Sequence, residues 1–141
     1  MAFVVDNSVV CGWFIGNQAT PYTDAVAARL LDEMAHAPAL WQLEFANVLR
    51  TACKRGVLDV QAAHEVIEQL AELPIMVDRE TPGPSAILSL ALRYDLTSYD
   101  AAYLELALRL QLPIATQDAA LMEAARAAGV GVLKAEKRLD K

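Results

Sequence analysis

The first residues already limit what the chain can build. Ala2-Phe3-Val4-Val5 runs directly into Asp6-Asn7-Ser8. A stretch of apolar and β-branched residues this brief is too short for a stable helix. It reads as a short buried strand ending at a carboxylate. In an open parallel sheet, ligands bind where the carboxyl ends of the strands meet the helices that follow. Asp6 therefore marks the edge where chemistry is expected, and further acids reaching that edge would define a site.

Short apolar runs and helical patterns alternate along the rest of the chain. Ser8 to Phe14 fits a short apolar helix ended by Gly16 and Asn17. Thr20 and Pro21 fit an N-cap and first helical residue, with Val26, Leu30 and Met34 recurring at helical spacing. Pro38-Ala39-Leu40-Trp41 reads as a second strand. Gln42 to Arg55 reads as a helix with Leu43, Ala46, Val48 and Leu49 inward and Gly56 past its end. Asp59 caps a helix to about Leu73, followed by a strand at Pro74 to Val77. Ser85 to Tyr94 is a further helix. Thr97 or Ser98 caps the helix that carries Asp100 to about Leu110, with Glu105 and Arg109 as an i,i+4 pair on its outer face. Pro113-Ile114-Ala115 is a fourth strand with Thr116-Gln117-Asp118 as its exit. Ala119 to Ala128 is a helix closed by Gly129, Val130 to Leu133 a last strand, and the end a polar tail. Strands alternating with helices give an α/β fold around a parallel sheet. No repeat or linker divides residues 1–141, so one domain is expected.

Composition narrows the class. At 141 residues, 55% hydrophobic and 21% charged, the chain can bury a sizeable core. No apolar run approaches a membrane span, and Asp6 interrupts any leader-like start, so a soluble cytoplasmic protein is expected. Cys11 and Cys53 stand apart among apolar residues, as buried reduced thiols do, and His36 and His64 show no zinc-ligand spacing. The net charge of −6 argues against a nucleic-acid partner only at first sight. If four of the 18 acids form one cation site, 14 acids face 12 basic residues, and the remaining surface carries only −2.

Asp6, Glu44, Asp100 and Asp118 each follow a strand or lie in the first turn of a helix, and none belongs to a periodic solvent face. In a parallel sheet these positions share one edge. Converging there, they would suit Mg²⁺ or Mn²⁺, hard ions that favour oxygen ligands and retain waters. Taken singly, each has a plainer explanation. Asp6 and Asp118 are acceptable helix caps, Glu44 suits any first turn, and Thr97-Ser98-Tyr99-Asp100 fits a capping box. Capping leaves lone pairs free for a cation, so the two readings are compatible.

The runs Phe3-Val4-Val5-Asp6-Asn7-Ser8-Val9, Glu44-x-x-Asn47-Val48-Leu49, Ser98-Tyr99-Asp100-Ala101-Ala102-Tyr103 and Thr116-Gln117-Asp118 together resemble the PIN domain. More narrowly, the chain is similar to the VapC-type toxins of bacterial toxin–antitoxin operons. The resemblance covers essentially the whole chain. It implies a three-layer α/β/α fold with a short-stranded parallel sheet of four or five strands. It also implies a Mg²⁺- or Mn²⁺-dependent endoribonuclease with Asp6, Glu44, Asp100 and Asp118 as its acidic quartet. Hydroxyls near the first and fourth acids in that family point to Ser8 and Thr116. Asn47, one helical turn after Glu44, is a further supporting residue or substrate contact. The resemblance also implies an RNA substrate, a homodimer and a small VapB-like antitoxin.

Arg50 and Lys54 share a helix face leading from Glu44, as a phosphate track or as a merely solvated face. Lys134, Lys137, Arg138 and Lys141 form a second basic group at the end. A haloacid-dehalogenase-type phosphatase would need a second Asp where Ser8 stands, and the glycine fingerprint of a dinucleotide-binding fold is absent. The serious alternative is a PIN-fold binding module whose metal site is too weak to cut.

Overall fold

The structure, a computed structural model, describes residues 2–80 and 82–134. Its order is β1 (Phe3–Val5), α1 (Asn7–Phe14), a 3₁₀ turn (Gly16–Gln18), α2 (Pro21–Arg29), β2 (Ala35–Pro38), α3 (Leu40–Lys54) and α4 (Val60–Ala71). There follow β3 (Ile75–Asp78), α5 (Pro84–Tyr94), α6 (Ser98–Leu110), β4 (Ile114–Ala115) and α7 (Ala119–Ala128). The strands form one parallel sheet in the order β3-β2-β1-β4. Helices cover it in a three-layer α/β/α arrangement. Phe3, Val4 and Val5 are fully buried, as a central strand sandwiched between helical layers must be.

Local chemistry sets most element ends. Thr20 accepts from the Thr23 amide while the Thr23 hydroxyl accepts from the Thr20 amide, a reciprocal cap with Pro21 at the first helical position. Asp59 caps α4 through the Ala62 amide at 2.7 Å. Gly129, at φ 86°, ends α7 in the left-handed conformation that glycine adopts without a Cβ penalty.

Several local expectations are corrected, and α2 is one of them: it ends at Arg29, with Leu30 as its C-cap and Met34 outside it. The second strand is Ala35–Pro38, and Leu40 and Trp41 already open α3. Ala35 and Ala37 are fully buried beneath α6, which packs across β1 and β2, so tertiary packing overrides their weak strand preference. The inward face of α3 is Trp41, Phe45, Leu49 and Ala52, while Leu43 is 77% exposed and Ala46 is exposed. The aromatic rings win the core because Phe45 packs edge-on to Phe14 and against Trp41. The last expected strand reduces to a single bridge between Val132 and Ile114, because Gly131 at φ 81° breaks the extended run. Arg109, beyond its pair with Glu105, forks onto Asp78 at 3.2 and 2.8 Å and so ties α6 to the end of β3. Cys11 is buried and Cys53 only half-buried, both as free thiols. The basic tail lies outside the described residues except for exposed Lys134. Among the described residues, no helix is long and apolar enough to cross a membrane.

Helices α1 and α2 approach closely at Gly12. A Cβ at Gly12 would meet Thr23 Cγ2 at 2.5 Å and its Cβ and Oγ1 at 2.8 Å. Thr23 cannot yield, because it is fully buried and its hydroxyl donates to the Thr20 carbonyl at 2.9 Å. The Trp13 indole donates to the Thr23 carbonyl at 2.8 Å across the same contact. Gly12→Ala is therefore expected to cost about 1–3 kcal/mol by overpacking. Urea unfolding would show this as a lowered midpoint at unchanged slope.

Candidate active site

The β1–β4 pairing brings the first and fourth acids, Asp6 and Asp118, together. Val5 is in register with Ala115, and the Asp6 amide donates to the Ala115 carbonyl at 3.0 Å. The next residue, Thr116, is 2% exposed, and its hydroxyl donates to Asp6 Oδ2 at 2.7 Å. The same hydroxyl oxygen accepts from the Asp118 amide at 3.0 Å. Ser8, in the first turn of α1, donates to the same Asp6 oxygen at 2.8 Å. Asp118 caps α7, its Oδ2 accepting from the Leu121 amide at 2.8 Å. Two strands and two helix starts thus fix this half of the site with hydroxyls and amides alone.

The other half comes from α3 and α6. Glu44 projects from the second turn of α3, not the first as expected, because the helix already opens at Leu40. Its Oε1 accepts from the Tyr103 hydroxyl at 2.5 Å. Asp100 lies in the first turn of α6, where its amide donates to the capping Thr97 hydroxyl at 3.1 Å. The halves meet electrostatically. Burial raises the pKa of Asp6, with the Asp118 charge adding to it and the Thr116 and Ser8 hydroxyls opposing. Burial likewise raises that of Glu44, with Tyr103 opposing and Asp6 adding. Asp100 is pushed up to about 6, first by burial and then by the charges of Asp118, Asp6 and Glu44. All four predicted acids therefore share one electrostatic neighbourhood. Behind them, the buried Cys11 thiol is raised to about 12 by burial and by Asp6 and Glu44.

The remaining predicted residues divide. Ser8 and Thr116 make the contacts just described. Asn47 is exposed on α3 and bonds to none of the four acids. Arg50 and Lys54 are exposed further along α3 and pair with no acid among the described residues. Two participants were not foreseen. Tyr103 was visible three residues after Asp100, hence on the same side of α6, but its bond to Glu44 joins segments 59 residues apart. Asn7 was visible in the first motif, yet nothing in the sequence shows that its Oδ1 is buried without a hydrogen-bond partner.

Among the described residues, no three His, Cys, Asp or Glu side chains are gathered into a ready-made ligand group. The chemistry of the donor set nevertheless fits a hard divalent ion. Mg²⁺ is commonly held by one or two carboxylates plus waters rather than by an all-protein cage. Four mutually repelling carboxylates and an unpartnered amide oxygen beside Asp6 offer oxygen donors and no competing cation.

Comparison with known proteins establishes the family and the fold. The PIN domain family matches residues 3–127. The chain belongs to the PIN domain family. The PIN fold is shared with the crystal structure of PAE2754 from Pyrobaculum aerophilum at a TM-score of 0.65 and 24% identity, covering 88% of this chain and 87% of that one. This PIN chain is 33% identical over 105 residues to Ribonuclease VapC12 of Mycobacterium tuberculosis, covering 74% of this chain and 79% of the relative. It is 29% identical over 125 residues to Ribonuclease VapC1 of the same organism, covering 86% of this chain and 89% of the relative.

The carboxylate repulsion has a sign that can be measured. A carboxyl whose folded pKa exceeds its unfolded value binds more protons in the native state, so ionising it weakens the fold. For Asp100 that penalty is absent below the ordinary value of 3.8 and complete above about 6. In chelator-treated protein, Asp100→Asn is expected to raise Tm by a few degrees at pH 7, with the gain shrinking to nothing near pH 4. Thermal scans of both proteins across that range check it.

Proposed function

We propose that this PIN-domain chain is a metal-dependent endoribonuclease and the toxin of a toxin–antitoxin pair. The observation that carries the proposal is that Asp6, Glu44, Asp100 and Asp118 come to the carboxyl edge of the sheet, where Ser8, Thr116 and Tyr103 hold two of them by hydrogen bonds and Asp100 feels the charge of the other three. The relatives named as VapC ribonucleases supply the substrate class.

In this reading Asp6, Glu44, Asp100 and Asp118 hold Mg²⁺ or Mn²⁺, and Ser8 and Thr116 keep Asp6 in place. Bound there, the ion supplies an activated water and offsets charge developing on the phosphodiester. The carboxylates orient that ion, and Thr116 keeps the first and fourth acids at a set spacing. Water forms a bond to phosphorus, the bond from phosphorus to the 3′ oxygen breaks, and a proton passes to that oxygen. The products carry a 5′ phosphate and a 3′ hydroxyl. Arg50 and Lys54, exposed and in no ion pair among the described residues, provide a path for the substrate's phosphates along α3.

Apolar surface supports the partner part of the proposal. Leu43, Leu88, Leu92 and Tyr99 are all more than half exposed, and an apolar groove is lined by Trp41, Phe45, Ile67, Leu70, Ile75 and Val77. A VapB-like antitoxin and a second copy of this chain are the proposed occupants of such surface, in the cytoplasm. The competing reading is a PIN-fold binding module that does not cut.

Cleavage of an RNA oligonucleotide separates the two. Mg²⁺-dependent release of 5′-phosphate ends is expected, lost on chelation and reduced roughly a hundredfold or more in Asp6→Asn. Mg²⁺ should also raise the Tm of the wild type and do so far less in the mutant. Equal metal-induced shifts, or cleavage that survives the substitution, would sink the nuclease reading.

The phosphate path makes its own claim. Replacing both Arg50 and Lys54 by Ala is expected to weaken RNA binding across sequences. It should also flatten the dependence of log affinity on log salt by about 0.7 per lost contact. Fluorescence anisotropy over a salt series measures both.

A further inference from the structure

Glu44 differs from the other three acids in how it is held. Asp6 is pinned by two hydroxyls, Asp118 by the start of α7, and Asp100 sits on a short side chain in a capped first turn. Glu44 is longer, only half-buried, and has one hydrogen bond among the described residues, from Tyr103. A glutamate without a fixed partner would scatter over several rotamers and face the other acids only part of the time.

Tyr103 supplies a rigid donor. It is fully buried in the middle of α6, so its ring cannot follow a wandering carboxylate. Two elements, α3 and α6, therefore meet at one phenolic oxygen. Asp100 lies three residues earlier on the same helix, so α6 presents one acid of the cluster and the anchor of another.

We infer that Tyr103 is a positioning residue whose buried hydroxyl holds the Glu44 carboxylate toward the other three acids, so that cation binding by the cluster depends on it. The inference rests on the metal-dependent reading above. The plainer account is that a buried tyrosine needs an acceptor and Glu44 happens to provide one. The two accounts differ in what the hydroxyl does for a cation.

The test uses Tyr103→Phe, which keeps the ring and removes one oxygen, with Mn²⁺ as the probe in isothermal titration calorimetry. Wild type should bind Mn²⁺, and Tyr103→Phe about tenfold or more weakly. Cleavage should recover in the variant at higher metal concentration, so that the loss lies in metal occupancy. In a Glu44→Ala background, which removes the acceptor, the same substitution should change affinity by no more than about twofold, because its route of action is gone. Equal Mn²⁺ affinity in wild type and Tyr103→Phe overturns the inference and leaves the nuclease reading standing. A similar loss with or without Glu44 also overturns it, showing that Tyr103 acts through general packing. If wild type binds no Mn²⁺, both the metal reading and this inference fall. Should Tyr103→Phe not fold, the Tyr103 hydroxyl proton of wild type decides by NMR. It should move as Mn²⁺'s diamagnetic counterpart Mg²⁺ is added, and an unmoved resonance at metal saturation refutes the role.

Discussion

Repulsion among carboxylates that the sheet will not let separate is the constraint around which this fold is arranged. Asp6 follows the fully buried β1, Thr116 and Asp118 follow the neighbouring β4, and the register between those strands leaves the chain no slack. Asp100 and Glu44 arrive from two helices packed on the same framework. No lysine or arginine among the described residues pairs with any of the four. The stabilising contacts are hydroxyls, backbone amides and the amino-terminal ends of helices, which ease negative charge without neutralising it. Such an edge is held together by the core behind it, and its own electrostatics work against it.

The core meets that demand by being continuous and tightly joined. β1 is covered on both faces, α6 spans three strands, and α1 lies so close to α2 that only glycine fits at position 12. The helices that bear acids are anchored away from them. The Arg109 guanidinium, its positive charge reinforced by Glu105 and Asp78, fastens α6 near the end opposite Asp100. Asp78 is correspondingly held below the usual carboxylate range by that same contact. Strong ion pairing is thus present in the molecule but placed where it does not discharge the acidic edge.

Much of this was legible in the sequence, for physical reasons specific to each residue. Asp6 and Asp118 end or follow short apolar runs and Asp100 sits in a first turn, so chain order pointed these three to one rim. Glu44 lies a turn deeper in α3 than expected, because Leu40 and Trp41 already belong to that helix. The caps at Thr20, Asp59 and Thr97 are local chemistry and were readable as such. What escaped depended on contacts between distant segments. Ala35 and Ala37 carry little strand signal of their own and become a strand because α6 covers them. Leu43 lost its inward place to Trp41 and Phe45 because aromatic rings from α1 and α3 interlock. Arg109 looked like one half of a local pair because i,i+4 spacing cannot reveal Asp78, 31 residues away. Tyr103 lay inside a motif that was read for its acid, and only the folded chain shows which carboxylate its hydroxyl meets.

The Cys11 thiol gives the acidic edge an unreactive backing. It is 2% exposed, and with a pKa near 12 it stays protonated throughout the neutral range. Electrophiles and peroxides attack thiolates, so this sulfur is a poor target for either. Burial first, and the negative charge of Asp6 and Glu44 after it, thereby protect the residue beneath the rim, and the reducing state of the surroundings has little hold on that sulfur.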